Sequence, residues 1–290
     1  HKHRTSWGRW DRCLAAGRFN APRWRGEPLA GKSILLYEEQ GRGDAIQFAR
    51  FGPVVAALGA TATVEVGADL VPLFRHSFAG LATVIETGAP VPPTDFVCPL
   101  MSLPLALGAT PERIPGAVPY LFADPAKAAT QRRRLESDKL NVGVVWAGNP
   151  AFADDRRRSP GYAPLAPLFA VPGVRWFGLR MGPAPYPNYA DLGPEVIADF
   201  SDTAAIMAGL DLVISSCTAA AHLAGALGRP VWVMLAKAAD WRWLADRDDS
   251  PWYPTARLFR QNRAGDWDDV AARIAAALAL AVEAKGRKPA

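Results

Sequence analysis

The feature that most restricts what this chain can fold into is the shortness of its apolar runs. Stretches of strand length, each soon closed by Gly, Pro or charge, alternate with segments whose apolar residues recur at helical spacing. Ser33-Ile34-Leu35-Leu36-Tyr37 is one such run, and after a glycine-rich turn Ile46, Ala49, Val54, Ala57 and Leu58 follow at helical intervals. The pattern predicts a strand, a loop and a helix. Thr61–Val66, Asp69–Phe74, Thr83–Glu86 and Phe96–Leu100 continue the alternation as far as Leu107, with turns at Gly59, Gly67, Gly88 and Pro92-Pro93.

From Pro111 to about Leu140 the chain becomes Pro-punctuated loop and then an Arg-rich segment, Gln131–Glu136, which places a hinge near Asp138. The alternation then restarts. Strands are expected at Val142–Trp146, Val174–Leu179, Val196–Phe200, Leu212–Ser215 and Val231–Leu235, with helices around Leu165–Phe169, Thr203–Leu210 and Thr218–Leu227. An amphipathic stretch from Trp267 to Val282, preceded by Asp266 at a helix N-cap position, ends the pattern. Alternation of this kind builds parallel, doubly wound sheets, so the fold class is α/β with two Rossmann-like domains. Residues 1–30 form an N-terminal extension, 31–138 the first domain, 139–265 the second, and 266–290 a C-terminal helix packing on or crossing between them. Trp7, Trp10 and the residues to Arg12 read as the remnant of an upstream helical module.

No apolar stretch approaches the roughly 20 residues that cross a bilayer. Cys13, Cys98 and Cys217 are too few and too scattered for a disulfide framework or a metal-ligand spacing, which fits a reducing cytoplasm. No metal is expected, because His1, His3, His76 and His222 lack Cys or carboxylate partners at ligand spacing. The net charge of +5 attracts phosphate-bearing ligands, but the Arg runs carry no interleaved aromatics, so nucleic acid is not expected as a partner.

In open α/β sheets ligands collect beyond the carboxyl ends of strands, which directs attention to the loops after Tyr37, Trp146 and Ser216. The first contains Gln40-Gly41-Arg42-Gly43-Asp44. Asp44 there reads either as a helix N-cap or as a general base for an acceptor hydroxyl. Gly148-Asn149 leads into a loop carrying Arg156, Arg157, Arg158 and Ser159, either a solvated surface or a set of phosphate donors. Ser216-Cys217-Thr218-Ala219 opens a helix whose first-turn amides and dipole can receive a diphosphate, or whose hydroxyls simply cap it. Thr218 and His222 share a helix face, whereas Cys217 and His222 do not, which disfavours a nucleophilic Cys/His pair. Trp241, Trp243, Trp252 and Tyr253 read as a stacking surface for a base or sugar, or as a packed latch between domains.

Several of these segments, in order, resemble one family: Trp24–Lys32, Glu39–Arg50 (including Gln47), Val144–Pro150, Ala221–Gly228, Asp240–Leu244 and Asp249–Pro254. They are similar to the glycosyltransferase part of bacterial tetratricopeptide-repeat proteins related to the ADP-heptose:lipopolysaccharide heptosyltransferases, a glycosyltransferase family 9-like group. The resemblance covers nearly the whole chain from Trp24. It implies a GT-B-like fold, two domains facing across a cleft, and inverting, metal-independent transfer of a sugar from a nucleotide-sugar donor to an acceptor hydroxyl. It implies Asp44 as base, with Gln40, Gly41, Gly43 and Gln47 on the acceptor side. On the donor side it implies Gly148, Asn149, Arg158, Ser159, Ser216, Cys217, Thr218, Ala219 and His222. No cofactor is implied beyond the nucleotide-sugar substrate. The implied partners are a saccharide, lipid-linked or protein acceptor and upstream tetratricopeptide repeats, with a cytoplasmic place or a peripheral one at the inner membrane and a role in lipopolysaccharide biosynthesis. Two departures stand out: Cys217-Thr218 where relatives often carry Asp-Thr, and Arg180-Met181-Gly182 where they often carry Gln-Lys-Gly. They motivate a second reading, a scaffold that binds a nucleotide sugar without transferring it.

Overall fold

The structure, a computed structural model, describes residues 19–151, 155–179, 189–191 and 196–286. The Trp7–Arg12 segment, Cys13 and Arg180-Met181-Gly182 lie outside the described residues. The chain divides into two compact units, His1–Ala123 with Asp199–Ser201, and Asp124–Ala198 with Asp202–Ala290. The division at 123/124 precedes the Arg-rich segment and assigns that helix to the second unit.

The first unit is built on a four-stranded parallel sheet of order β3-β2-β1-β4, from β1 (Ser33–Tyr37), β2 (Thr61–Val66), β3 (Ala82–Glu86) and β4 (Phe96–Pro99). Ile34 to Tyr37 are all buried, as expected of a central parallel strand covered on both faces. Helices α1 (Arg42–Phe48) and α2 (Gly52–Ala57) connect β1 to β2, and α3 (Val71–Ser77) connects β2 to β3. A short α4 (Leu103–Ala106) follows β4. The Asp69–Phe74 stretch is therefore the entry to a helix, with Pro72 in its first turn where no amide donor is needed.

The second unit carries a six-stranded parallel sheet of order β10-β9-β8-β5-β6-β7. Its strands are β5 (Leu140–Val145), β6 (Val174–Gly178), β7 (Tyr189–Asp191), β8 (Leu212–Ser216), β9 (Val231–Leu235) and β10 (Ala256–Arg260). Helices α5 (Pro125–Leu135), α6 (Asp155–Arg158), α7 (Phe200–Gly209), α8 (Ala219–Ala226) and α9 (Trp267–Gly286) surround it. Val196–Phe200 is not a strand. Residues 196–199 are turn and bend, Phe200 opens α7, and the edge position is taken by Tyr189–Asp191. The core gathers Trp146, Phe169, Trp176, Ile214, Ile274 and Leu278. Each such side chain contributes about 1.5–3 kcal/mol by leaving water. Helix α9 buries Val270, Ile274 and Leu278 at four-residue spacing, and Asp266 caps its start by accepting the Asp269 N–H at 3.1 Å.

Candidate active site

Both sheets reverse winding direction beside their central strand, β1 in the first unit and β5 in the second, and the loops leaving such strands diverge to open a crevice. In the second unit the crevice lies at the carboxyl ends of β5 and β8. There the loop after β5 and the start of α8 are tied together. Arg158 donates from Nη1 to the Cys217 carbonyl at 2.9 Å and pairs through Nε with Asp155 Oδ1 at 3.1 Å. Ser159 Oγ accepts the Gly148 N–H at 3.1 Å. A Cβ on Gly148 would overlap the Asp155 carboxylate and the Arg158 guanidinium, so the glycine is what lets the two side chains lie against the strand end. The structure thus brings Gly148, Arg158, Ser159 and Cys217 together. Asn149 is turned elsewhere: it is exposed, and its Oδ1 accepts the Ala151 N–H at 3.0 Å within the loop. Arg156 and Arg157 lie exposed on the same helical turn.

Thr218 is the N-cap residue of α8 with extended backbone, yet its hydroxyl does not cap the helix. It lies 3.0 Å from Ser215 Oγ. The hydroxyl is drawn aside, and the front of α8 keeps the positive character of uncapped first-turn amides. Ala219 beside them is half-buried and carries only a methyl group. Ser216 is fully buried, and its Oγ has no hydrogen-bond partner among the described residues.

His222 faces inward rather than toward the helix start. Its Nδ1 is 2.9 Å from Tyr253 Oη, and its ring stacks on Trp243 at 5.4 Å and 19°. Burial first, and then the positive charges of Arg242 and Arg158, pull its pKa down to about 3, so the imidazole is neutral at physiological pH. Cys217 Sγ accepts the Trp243 indole N–H at 3.1 Å, and burial pushes its thiol up from the ordinary cysteine range. A protonated thiol and a histidine committed to a tyrosine do not form a nucleophilic pair.

The aromatic segment is a latch within the second unit. Trp243 and Tyr253 are buried against α8, Trp252 is buried beside Trp241, and Gly225 exists there because a Cβ would overlap the Tyr253 ring. Trp241 alone is exposed, with the Arg242 guanidinium 4.9 Å from its ring centroid. Asp155 is the supporting residue that sequence reasoning missed; Trp243 and Tyr253 are legible as aromatics, but not as partners of Cys217 and His222. Asp155 carried one legible signal, its place three residues before Arg158 on a helical turn.

In the first unit Gly41 is the N-cap of α1, and Asp44 occupies the third helical position instead of the cap itself. Its Oδ2 accepts the Gly41 N–H at 2.9 Å, the reach-back half of a capping box. The N-cap expectation is corrected by this one-turn shift, which follows from the helix beginning at Arg42. Asp44 and Gly43 are half-buried, and Gln40 and Gly41 are exposed. Gln47 is wholly buried, with its carbonyl accepting the Tyr120 hydroxyl at 3.2 Å. Beside Asp44, Arg42 pairs through Nη1 with Glu38 Oε1 and through Nε with Asp69 Oδ1, each at 2.7 Å.

Among the described residues no group of three or more His, Cys, Asp or Glu side chains is placed to hold a metal ion. No described helix is long and apolar enough to cross a membrane.

Two parallel sheets of these orders match the GT-B-like heptosyltransferase fold. Escherichia coli ADP-heptose lipopolysaccharide heptosyltransferase II superposes with a TM-score of 0.60 at 13% identity, covering 87% of this chain and 99% of that one. The dodecameric iron-containing heptosyltransferase TibC of enterotoxigenic E. coli, in complex with ADP-D-β-D-heptose, gives 0.57 at 10% identity over 89% of this chain and 78% of the other. A glycosyl transferase family 9 protein of Veillonella parvula gives 0.52 at 12% identity, covering 82% of this chain and 88% of that one. In sequence, the chain is 31% identical to protein FlbA of Caulobacter vibrioides over 91% of its own length. It spans about half, 49%, of that relative. No protein-family model matches.

Proposed function

We propose that this chain is an inverting glycosyltransferase that moves a sugar from a nucleoside-diphosphate donor to the hydroxyl of a saccharide, lipid-linked or protein acceptor. The observation that carries the reading is the tether between Arg158 and the Cys217 carbonyl, which sets a guanidinium beside the uncapped start of α8 at the switch point of the second sheet. A diphosphate there meets main-chain amides, a fixed cation and the Ser159 hydroxyl. TibC, of like fold, is complexed with ADP-D-β-D-heptose.

In the proposed reaction the acceptor oxygen attacks the anomeric carbon from the face opposite the leaving group. The glycosidic C–O bond to the diphosphate breaks, and its electron pair departs with the phosphate oxygen. The acceptor proton passes to Asp44. Arg158 and the α8 amides stabilise the negative charge that grows on the leaving group. No step draws on a metal ion.

Asp44→Asn removes the proton acceptor while preserving an oxygen that can take the Gly41 N–H. With ADP-heptose as donor, turnover is expected to fall by about 10²–10⁴-fold with donor affinity nearly unchanged. Near wild-type turnover in this variant rules the base out. A second reading, a nucleotide-sugar-binding scaffold, draws on the same Asp44 contact, because a carboxylate accepting an amide N–H at its helix start already has a structural role. Calorimetric titration with nucleotide sugars, paired with a donor-hydrolysis assay, separates the two: tight binding without any turnover favours the scaffold.

A further inference from the structure

The turn that carries Asp44 is held by a device that does not depend on Asp44 itself. Arg42 is the first residue of α1, and its guanidinium bridges two carboxylates leaving neighbouring strands, Glu38 after β1 and Asp69 after β2. The Glu38 side chain is buried, 8% exposed, and Oε1 also accepts the Thr87 hydroxyl at 3.3 Å, so the anchor on which Arg42 pulls is itself fixed beyond β3. The far side of the guanidinium lies on bare backbone: a Cβ at Gly67, directly after β2, would overlap its carbon and both terminal nitrogens. Burial works against the charge, but Asp69 and Glu38 more than offset it and leave the Arg42 pKa above the ordinary arginine value. A lysine carries its three donors on one nitrogen and cannot reach both carboxylates from the separate Nη1 and Nε positions of this fork.

We infer that Arg42 is a positioning residue: clamped between Glu38 and Asp69 over Gly67, it fixes the Gly41–Asp44 turn and with it the direction of the Asp44 carboxylate. The consequence for turnover rests on the proposed role of Asp44, whereas the clamp itself does not.

The test compares wild-type protein with Arg42→Gln, Arg42→Lys and Gly67→Ala, the last displacing the guanidinium while leaving every charge in place. Amide hydrogen exchange is expected to speed up about tenfold or more at Gly41–Ala45 in Arg42→Gln and Gly67→Ala, with protection elsewhere retained and Arg42→Lys only partly restored. With ADP-heptose as donor, kcat is expected to drop about tenfold or more in the same variants while donor KM stays within about twofold. Exchange at Gly41–Ala45 within twofold of wild type in both variants overturns the inference, and so does loss of protection spread over the whole chain. Fast exchange at the turn together with wild-type turnover in Asp44→Asn leaves the clamp standing and removes the assigned chemistry.

Discussion

The carboxyl edges of the two sheets differ in how their charges are balanced and in how their helices begin. At the first, Glu38, Asp44 and Asp69 gather around one arginine, and the helix start is closed by its own Asp44. At the second, Arg158 paired with Asp155 and Arg242 paired with Asp240 stand near an α8 start whose N-cap hydroxyl turns away to Ser215. The same βα geometry therefore serves two ends. A capped, carboxylate-rich edge suits holding a proton acceptor, and an uncapped helix start flanked by charge-balanced arginines suits a ligand that brings its own negative charge.

The sharpest way to break this contrast is to neutralise each edge in turn. Asp44→Asn has the largest expected effect, on turnover alone. Arg158→Gln should weaken nucleotide-sugar binding about 10–100-fold, equivalent to losing one charge-assisted hydrogen bond and its partner's alignment, and should leave Asp155 without its cation. Isothermal titration with ADP at two salt concentrations checks it, and unchanged affinity would move the anion site elsewhere. Gly148→Ala should cost about 1–3 kcal/mol of stability, because the new methyl must push Asp155 and Arg158 off the strand end. A denaturant melt reads this, and a neutral result means the loop yields freely.

His222 offers a pH readout for the second edge. Its folded pKa of about 3 lies below that of an unfolded histidine, near 6.5, so the unfolded chain binds more protons between these values. Its contribution is fully present above pH 6.5 and declines as pH falls toward 3, by at most about 1.4 kcal/mol per pH unit. His222→Gln should flatten that part of the stability-versus-pH curve, and an unaltered curve would mean the imidazole is already charged in the fold. The smallest effect belongs to Thr218→Ala. N-cap replacements usually cost about 1 kcal/mol, but a hydroxyl that does not cap should cost less than about 0.5 kcal/mol. A full 1 kcal/mol loss would show the α8 start to be capped after all.

Particular elements show where sequence reading works and where it stops. Ser33–Tyr37 and Val231–Leu235 are strands at the residues expected, because inner parallel strands buried on both faces are mostly apolar, and Thr61–Val66 is legible through its β-branched residues even though it buries Glu65. Ala256–Arg260 escaped notice: at the sheet edge Arg257 and Arg260 stand on opposite faces of the strand, and the apolar pattern dissolves into charge. Val196–Phe200 misled for the converse reason. Ile197 is buried from a turn, so an apolar residue without a strand imitates one. At the site, Gly148, Arg158, Ser159, Cys217 and Tyr253 could be singled out by residue type, whereas Asp155, and the pairing of Tyr253 with His222, emerge only through the partners they meet.

By itself, the order of residues determined the alternation of elements, the two α/β halves and the loops in which chemistry can lie, because burial and turn geometry act over a few neighbours. Tertiary structure alone decided that Arg158 meets the carbonyl of Cys217, that His222 turns inward to Tyr253, and that Arg42, four residues from Glu38, also reaches across to Asp69. Those pairings join residues brought together by parallel crossovers, and local periodicity contains no term for a distance closed by the sheet.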